Sequence, residues 1–244
     1  TAWRWCSPAC ATSATDRGHP VHPLDRPVWS SLSTTHEALS LGNERARRYV
    51  TDVNLFASAR DDSDEALAAL TALVGPAEQV YQLQVPEITV PPGLVAVKRA
   101  WGVQMVAQQP LAGGPSDDIV PLGDEDAAEM LALARLTQPG PFLARTHRMG
   151  QFHGVRIDGR LAAMAGERFR FPGWTEVSGV CAHPDFRGRG LARQLSQHVA
   201  ALIAARGDTA FLHAWRDNTP AVRLYESLGF AWRSDVHVAV LARA

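Results

Sequence analysis

The stretch that decides the fold is Val180-Cys181-Ala182-His183-Pro184-Asp185-Phe186-Arg187-Gly188-Arg189-Gly190-Leu191-Ala192. Here an apolar strand runs into a Gly-rich turn, and an amphipathic helix begins directly after the turn. The first N–H groups of a helix have no intrahelical partner, and the helix dipole favours an anion beside them. Gly188 and Gly190 let the backbone approach a ligand closely, and Arg187 and Arg189 add positive charge. The stretch therefore predicts a phosphate or pyrophosphate site.

Two other phosphate motifs do not fit this stretch. The P-loop pattern Gly-x4-Gly-Lys-Ser/Thr is absent from the sequence, and in the dinucleotide fingerprint Gly-x-Gly-x-x-Gly the third glycine is replaced by Arg193. A Gly-containing turn that binds no ligand stays open as the simpler alternative.

A second informative block runs from Asn218 to Phe230 and reads NTPAVRLYESLGF. On a helix, Asn218, Ala221 and Tyr225 share one face, and the small Ala221 leaves room for a ligand chain between the two polar side chains. The alternative is that Tyr225 is a core aromatic residue and that Asn218 only caps the helix.

Together the two blocks resemble the GNAT superfamily of acyl-CoA-dependent N-acyltransferases. Residues 187–192 match its Arg/Gln-x-x-Gly-x-Gly/Ala signature, and residues 218–230 are similar to its later motif Asn-x-x-Ala-x-x-x-Tyr-x-x-x-Gly-Phe. The residues of the first block and of the strand before it are most similar to the FR-type branch of the superfamily, and the resemblance covers residues 118–241. It implies a GNAT-like acyltransferase fold of the α/β class (α+β), built on a mixed sheet, for that half of the chain.

The resemblance also implies a reaction, in which an amine attacks the thioester of a bound acyl-CoA directly. Acetyl-CoA is the expected co-substrate, and no metal is expected. Tyr225 would protonate the departing thiolate, and a strand ending at Ala182 would diverge from the strand over residues 210–215 to open a slot for the pantetheine arm. The implied cofactor-binding residues are Val180, Cys181, Ala182, Arg187, Gly188, Arg189, Gly190, Leu191, Ala192, Asn218, Ala221 and Tyr225.

A proton acceptor for the amine is less well defined. Glu176 lies upstream on the same strand, at a position that carries the general base in some members of the family. Strand alternation puts it on one face with Ser178 and Val180 unless a bulge intervenes. The alternatives are that His153, His183 or a water chain accepts the proton, or that Glu176 is only a surface carboxylate.

Composition excludes several classes of protein. The 244 residues are 46% hydrophobic and carry a formal net charge of −1, so no global basic field attracts nucleic acid or an acidic membrane. No apolar run reaches the ~20 residues of a membrane span. The three cysteines, Cys6, Cys10 and Cys181, are too few for a disulfide framework. A reducing, cytoplasmic setting is expected.

The order of elements divides the chain into four parts. Residues 1–22 read as a disordered leader, 23–110 as an N-terminal domain, 111–118 as a linker rich in Gly and Pro, and 119–244 as the acyltransferase domain. The last part alternates helices and strands, with a hairpin at Asp158-Gly159. The N-terminal domain is either a degenerate copy of the same fold or an unrelated pair of strands.

The sequence therefore predicts an N-acetyltransferase that acts on a primary amine, either a small molecule or a peptide. The alternative is a catalytically silent acyl-CoA-binding regulatory module. No nucleic-acid or membrane partner is expected. A sheet edge or the seven Trp residues could supply the interface of a homodimer.

Overall fold

The computed structural model describes residues 22–111 and 118–244. The helices are α1 (Pro27–Leu32), α2 (Asp64–Ala72), α3 (Ala127–Thr137), α4 (Leu191–Ala205) and α5 (Thr219–Ser227). The strands are β1 (Ser40–Gly42), β2 (Ala46–Tyr49), β3 (Ala57–Ala59), β4 (Gln79–Gln84), β5 (Leu94–Ala107), β6 (Ile119–Leu122), β7 (Phe152–Ile157), β8 (Arg160–Phe171), β9 (Trp174–Ala182), β10 (Thr209–Trp215) and β11 (Phe230–Arg243). The predicted mixed α/β fold is confirmed.

Some predictions fall on residues whose structure is not described. The predicted leader and linker lie outside the described residues except for His22, Leu111 and Asp118 at their edges. Cys6 and Cys10 also lie outside, whereas Cys181 is a free, buried cysteine. Among the helices of residues 22–111 and 118–244, none is long and apolar enough to cross a membrane.

The main sheet has eight strands in the order β4-β11-β5-β10-β9-β8-β7-β6, and β1, β2 and β3 form a separate small sheet. Within the large sheet β9 and β10 pair in parallel, and the last paired residues are Phe211 and Glu176. Beyond that point β10 continues to pair with β5 as far as Trp215 opposite Gly102. The ends of β9 and β10 therefore diverge, which confirms the predicted slot between them.

Strands from both sides of the predicted linker share this sheet. β4 pairs with β11, and β5 lies between β10 and β11. Residues 79–107 thus supply internal strands of the sheet on which the predicted acyltransferase domain is built. The division into two domains, and the origin of the first as a degenerate copy, stay predictions.

Alternation along β10 assigns its side chains to the two faces of the sheet. Ala210 and Leu212 pack with α4 and α5 on one face. Phe211 packs on the other face with α1 and residues of the N-terminal part such as Tyr49. His213 follows Phe211 by two residues and so belongs to this second face. The gap that opens where β9 and β10 diverge therefore links the two faces of the sheet. One face is covered by α4 and α5, and the other is covered by the N-terminal part of the chain.

Candidate active site

The predicted anion site is the turn that joins β9 to α4. Gly188 and Gly190 have φ values of 77° and 76°, in the left-handed region that favours glycine, and a Cβ at either position would meet no atom within 4 Å. The first hydrogen bond of the helix runs from Gln194 N–H to the Gly190 carbonyl. Within the described part of the chain, the N–H groups of residues 188–193 make no hydrogen bond. These donors and the helix dipole form a site suited to an anion.

The two arginines of the turn behave differently. Arg187 lines a cleft that Tyr225 also lines. Arg189 places its guanidinium 5.4 Å from the ring centre of the buried Phe186. Arg187 is therefore the arginine of this turn that faces the cleft, while Arg189 packs against an aromatic ring.

A cleft of about 640 Å³ follows the slot between β9 and β10. Seven of the predicted cofactor-binding positions line it beside Arg187, namely Val180, Cys181, Ala182, Ala192, Asn218, Ala221 and Tyr225. Gly188, Arg189 and Gly190 form the turn before α4, and Leu191 is buried in the core. The structure thus brings the strand, the turn and the α5 face together, as the sequence predicted.

A β-bulge interrupts β9 at the level of the slot. Gly166 pairs with Ser178 and Met164 pairs with Cys181, so β9 contains one more residue than β8 between these pairs. Gly179 has φ of 64°, and a Cβ there would lie 2.9 Å from Phe152. The bulge breaks the alternation that would place Glu176 and Val180 on one face. It also leaves backbone groups unpaired beside the cleft.

Tyr225 lies on α5 with its ring packed near Phe230 and its side chain 8% exposed. Its hydroxyl makes no hydrogen bond within the described residues. Burial, together with the negative charge of Glu176, raises the pKa of Tyr225 to about 12. The phenol is therefore protonated at neutral pH and has a proton to donate into the cleft.

Asn218 lies at the N-terminus of α5, where its Oδ1 accepts a hydrogen bond from Ala221 N–H at 3.3 Å. This capping role is the simpler of the two predicted roles. Because Asn218 also lines the cleft, its remaining amide atoms face the same space as Tyr225.

Glu176 is fully buried and accepts four hydrogen bonds. Arg168 donates from Nε at 2.7 Å and from Nη2 at 2.6 Å, His213 donates from Nδ1 at 2.6 Å, and Phe169 N–H donates at 3.3 Å. A carboxylate has about four lone-pair positions, so its acceptor capacity is filled. Burial alone would raise the pKa of Glu176, but Arg168 and His213 lower it to about 2.

His213 lines the cleft and is held from both sides. Gln104 Nε2 lies 3.0 Å from His213 Nε2 and also donates to the Leu24 carbonyl, while Gln104 Oε1 accepts from Arg233. These partners orient the amide, so Nε2 of His213 is an acceptor and Nδ1 carries the proton that is donated to Glu176. Burial lowers the pKa of His213, which favours the neutral ring.

The other predicted proton acceptors do not line the cleft. His153 packs against the ring of His198 with centroids 4.7 Å apart, and burial lowers its pKa to about 4. His183 bonds to Arg160 and to Asp185 N–H at the turn before α4. Within the described part of the chain, no group of three or more His, Cys, Asp or Glu side chains is arranged to hold a metal ion.

Arg168 and His213 were not among the site residues predicted from the sequence. Arg168 lies on β8, which pairs antiparallel with the strand of Glu176 across the Pro172-Gly173 turn, and that hairpin was a signal that could have identified it. The place of His213 depends on the register of β10 against β9 and on Gln104 from β5. No local pattern gives that long-range pairing.

Comparisons with known proteins agree with this geometry. The family described as FR47-like protein matches residues 153–238. A solved structure of a putative acetyltransferase from the GNAT family of Novosphingobium aromaticivorans is 44% identical, with a TM-score of 0.86 over 91% of this chain and 99% of that chain. A GCN5-related N-acetyltransferase from Kribbella flavida is 16% identical, with a TM-score of 0.61 over 90% of this chain and 96% of that chain, and shows the fold alone.

Two curated relatives match over shorter stretches. Mycothiol acetyltransferase of Thermobispora bispora is 48% identical over 63 residues, which are 25% of this chain and 21% of that protein. The [ribosomal protein bS18]-alanine N-acetyltransferase of Salmonella typhimurium is 38% identical over 77 residues, which are 31% of this chain and 51% of that protein. The chain therefore matches about a fifth of the length of the first relative and about half of the length of the second. The predicted resemblance is confirmed: the chain belongs to the GNAT family of acetyltransferases.

Proposed function

We propose that the protein transfers an acetyl group from acetyl-CoA to a primary amine, of a small molecule or of a peptide. One observation carries the proposal: a single cleft is lined by Arg187 and Ala192, which flank the free N–H groups before α4, by the end of β9 where it diverges from β10, and by Tyr225. The relatives are named acetyltransferases, which supports the proposal. No observation favours a silent acyl-CoA-binding module. The cytoplasmic location, the homodimer and the absence of nucleic-acid and membrane partners stay predictions.

The geometry suits each part of acetyl-CoA. The N–H groups of residues 188–192 and the Arg187 guanidinium would bind the pyrophosphate. The edge of β9 from Val180 to Ala182, which β10 leaves unpaired, would bond to the amides of the pantetheine arm as an added strand does. The thioester would then lie at the bulge of β9, where a free backbone N–H would stabilise the developing oxyanion.

Tyr225 is placed to complete the transfer. The amine nitrogen attacks the thioester carbon, the C–S bond breaks, and the phenol gives its proton to the thiolate sulfur. Burial keeps the phenol protonated until that charge develops. The acceptor loses its ammonium proton to solvent before the attack, since the four acceptor positions of Glu176 are already filled. After the attack the nitrogen releases a second proton to solvent, and Tyr225 regains a proton from solvent.

Glu176 therefore acts in this proposal as a positioning residue and not as the proton acceptor that the sequence suggested. Its carboxylate binds Arg168 of β8 and His213 of β10. These bonds lie where the pairing of β9 with β10 ends. A buried carboxylate with a pKa of about 2 is a weak base at neutral pH.

Binding of acetyl-CoA should raise the melting temperature of the protein. At a ligand concentration of about 100 Kd the stabilisation is about 2.7 kcal/mol. Gly190→Asp should abolish the shift, because it puts a carboxylate where the pyrophosphate binds. Gly207→Asp is the matched control: Gly207 has φ of 87°, has no atom within 4 Å of its Cβ position, and lies past the other end of α4. The absence of a shift in the parent protein, or an intact shift in Gly190→Asp, contradicts the proposal.

Replacement of the Tyr225 hydroxyl should slow catalysis without weakening cofactor binding. Tyr225→Phe should lower kcat by about 10²-fold, as for loss of a general acid, while the Kd for acetyl-CoA changes by less than about threefold. Tyr49→Phe removes a buried hydroxyl that bonds to Ser31 in the core and controls for general destabilisation. Equal kcat values for Tyr225→Phe and the parent remove Tyr225 from the role of acid.

The positioning role of Glu176 predicts a pH dependence of stability. Its folded-state pKa of about 2 lies below the ordinary value of 4.5, so its stabilisation is complete above about pH 4.5 and is lost as the pH falls toward 2. Glu176→Gln should cost about 3 kcal/mol at pH 7 in urea unfolding, and the difference from the parent should narrow as the pH falls from about 4.5 to about 2. The exposed Glu87→Gln should show neither effect.

Kinetics distinguish the two roles of Glu176. If it positions its neighbours, the pH profile of kcat/KM for Glu176→Gln keeps the shape of the parent profile at a lower level. Loss of the acidic, ascending limb of that profile in the variant would identify Glu176 as the proton acceptor instead.

A further inference from the structure

One side of the Arg168 guanidinium is fixed, and the other side is free. Nε and Nη2 are bonded to Glu176, and the group lies over the rings of Phe169 and Phe56 at 4.5 and 5.0 Å. The side chain is only 12% exposed. Nη1 approaches Gly140 and makes no hydrogen bond within the described residues, although Arg168 lines the cleft. A rigid cation thus presents an unused donor to the cleft.

The position of Arg168 relates this donor to the reaction. Arg168 is bonded to Glu176, and Glu176 is the residue of β9 opposite the last paired residue of β10. The free donor therefore lies at the level where the two strands diverge, beside the slot that the thioester would occupy. It lies on the face of the sheet opposite to Tyr225, where an acceptor would approach.

The cleft wall on the side of Arg168 is mostly apolar and carries no acidic side chain among the described residues. On this side the cleft is lined by Phe56, Tyr81, Leu83, Val236 and Val238. Among the described residues no Asp or Glu side chain lines the cleft, and its charged lining residues are Arg168 and Arg187. Glu176 lies behind Arg168 and His213 and is neutralised by Arg168. An acceptor with several ammonium groups would find no carboxylate to offset its desolvation.

We propose that the acceptor is an α-amino acid with an apolar side chain. Its carboxylate would bond to Nη1 of Arg168, its side chain would pack against the apolar wall, and its amine would point into the slot. Because Arg168 is already held by Glu176 and two rings, little side-chain entropy is lost when the carboxylate binds. This inference rests on the proposed acyl transfer and names the substrate class of that site.

A series of matched amines tests the inference without any change to the protein. Leucine, 3-methylbutylamine (leucine without its carboxylate) and spermidine are compared as acceptors in a thiol-release assay with acetyl-CoA, and each rate is expressed per concentration of free amine. We expect kcat/KM for leucine to exceed that for 3-methylbutylamine by about tenfold or more, with spermidine the poorest acceptor. An equal or better rate with 3-methylbutylamine or spermidine overturns the inference.

Variants of the protein test the two contacts separately. Arg168→Lys keeps a positive charge beside Glu176 but removes the Nη1 donor. The ratio of kcat/KM for leucine to kcat/KM for 3-methylbutylamine should therefore fall by about tenfold. Val238→Phe narrows the cleft at its apolar wall and should shift the acceptor preference, measured as kcat/KM, from leucine toward alanine. Val97→Phe, at an exposed position outside the cleft, should leave that preference unchanged. An unchanged carboxylate preference in a folded Arg168→Lys variant contradicts the proposed contact.

Failure of the inference can be distinguished from failure of the proposed function. If no amine supports thiol release although acetyl-CoA raises the melting temperature, acyl transfer is refuted. The substrate class is then decided by calorimetry on the CoA-saturated protein. Binding of leucine that is tighter than binding of 3-methylbutylamine and is weakened by Arg168→Lys supports the Arg168 site. Absence of leucine binding overturns it.

Discussion

The structure depends on a single constraint, the divergence of the parallel strands β9 and β10 after Glu176 and Phe211. Up to that pair the strands satisfy each other's backbone groups. Beyond it β9 keeps a free edge, while β10 is held by β5 on its other side. A free strand edge is a liability in a sheet unless something covers it. Here the edge borders the cleft that leads from the turn before α4 to Tyr225, and in our proposal a pantetheine arm covers it.

The charged cluster at the point of divergence maintains this arrangement. Glu176 ties Arg168 of β8 to His213 of β10, so the bonds cross three neighbouring strands where the β9 to β10 backbone ladder ends. Removal of one member would leave a buried charge without its partner, which is costly. Gln104 of β5 extends the network to Arg233, which in turn pairs with Asp25. The N-terminal part of the chain therefore stabilises the geometry of the cleft as well as forming one of its walls.

Local patterns in the sequence were sufficient for the elements that form the proposed cofactor half of the site. The glycines of the turn, the amphipathic stripe of α4 and the Asn218 to Phe230 block each depend on residues that are close in sequence, and the structure has them as predicted. The Asp158-Gly159 hairpin is confirmed in the same way, with φ values of 51° and 77°. The acceptor half depends on pairing between distant strands. Insertion of β5 between β10 and β11, and the partners of Glu176, follow from registers that no local periodicity encodes.

In our proposal the turn before α4 and the divergent strands hold acetyl-CoA in one continuous cleft. A crystal structure of the protein with acetyl-CoA tests it most directly. The account predicts pyrophosphate oxygens within hydrogen-bond distance of the N–H groups of residues 188–192, the pantetheine arm along residues 180–182, and the thioester sulfur near the Tyr225 hydroxyl. Acetyl-CoA bound elsewhere, with no phosphate at the N-terminus of α4, would contradict it.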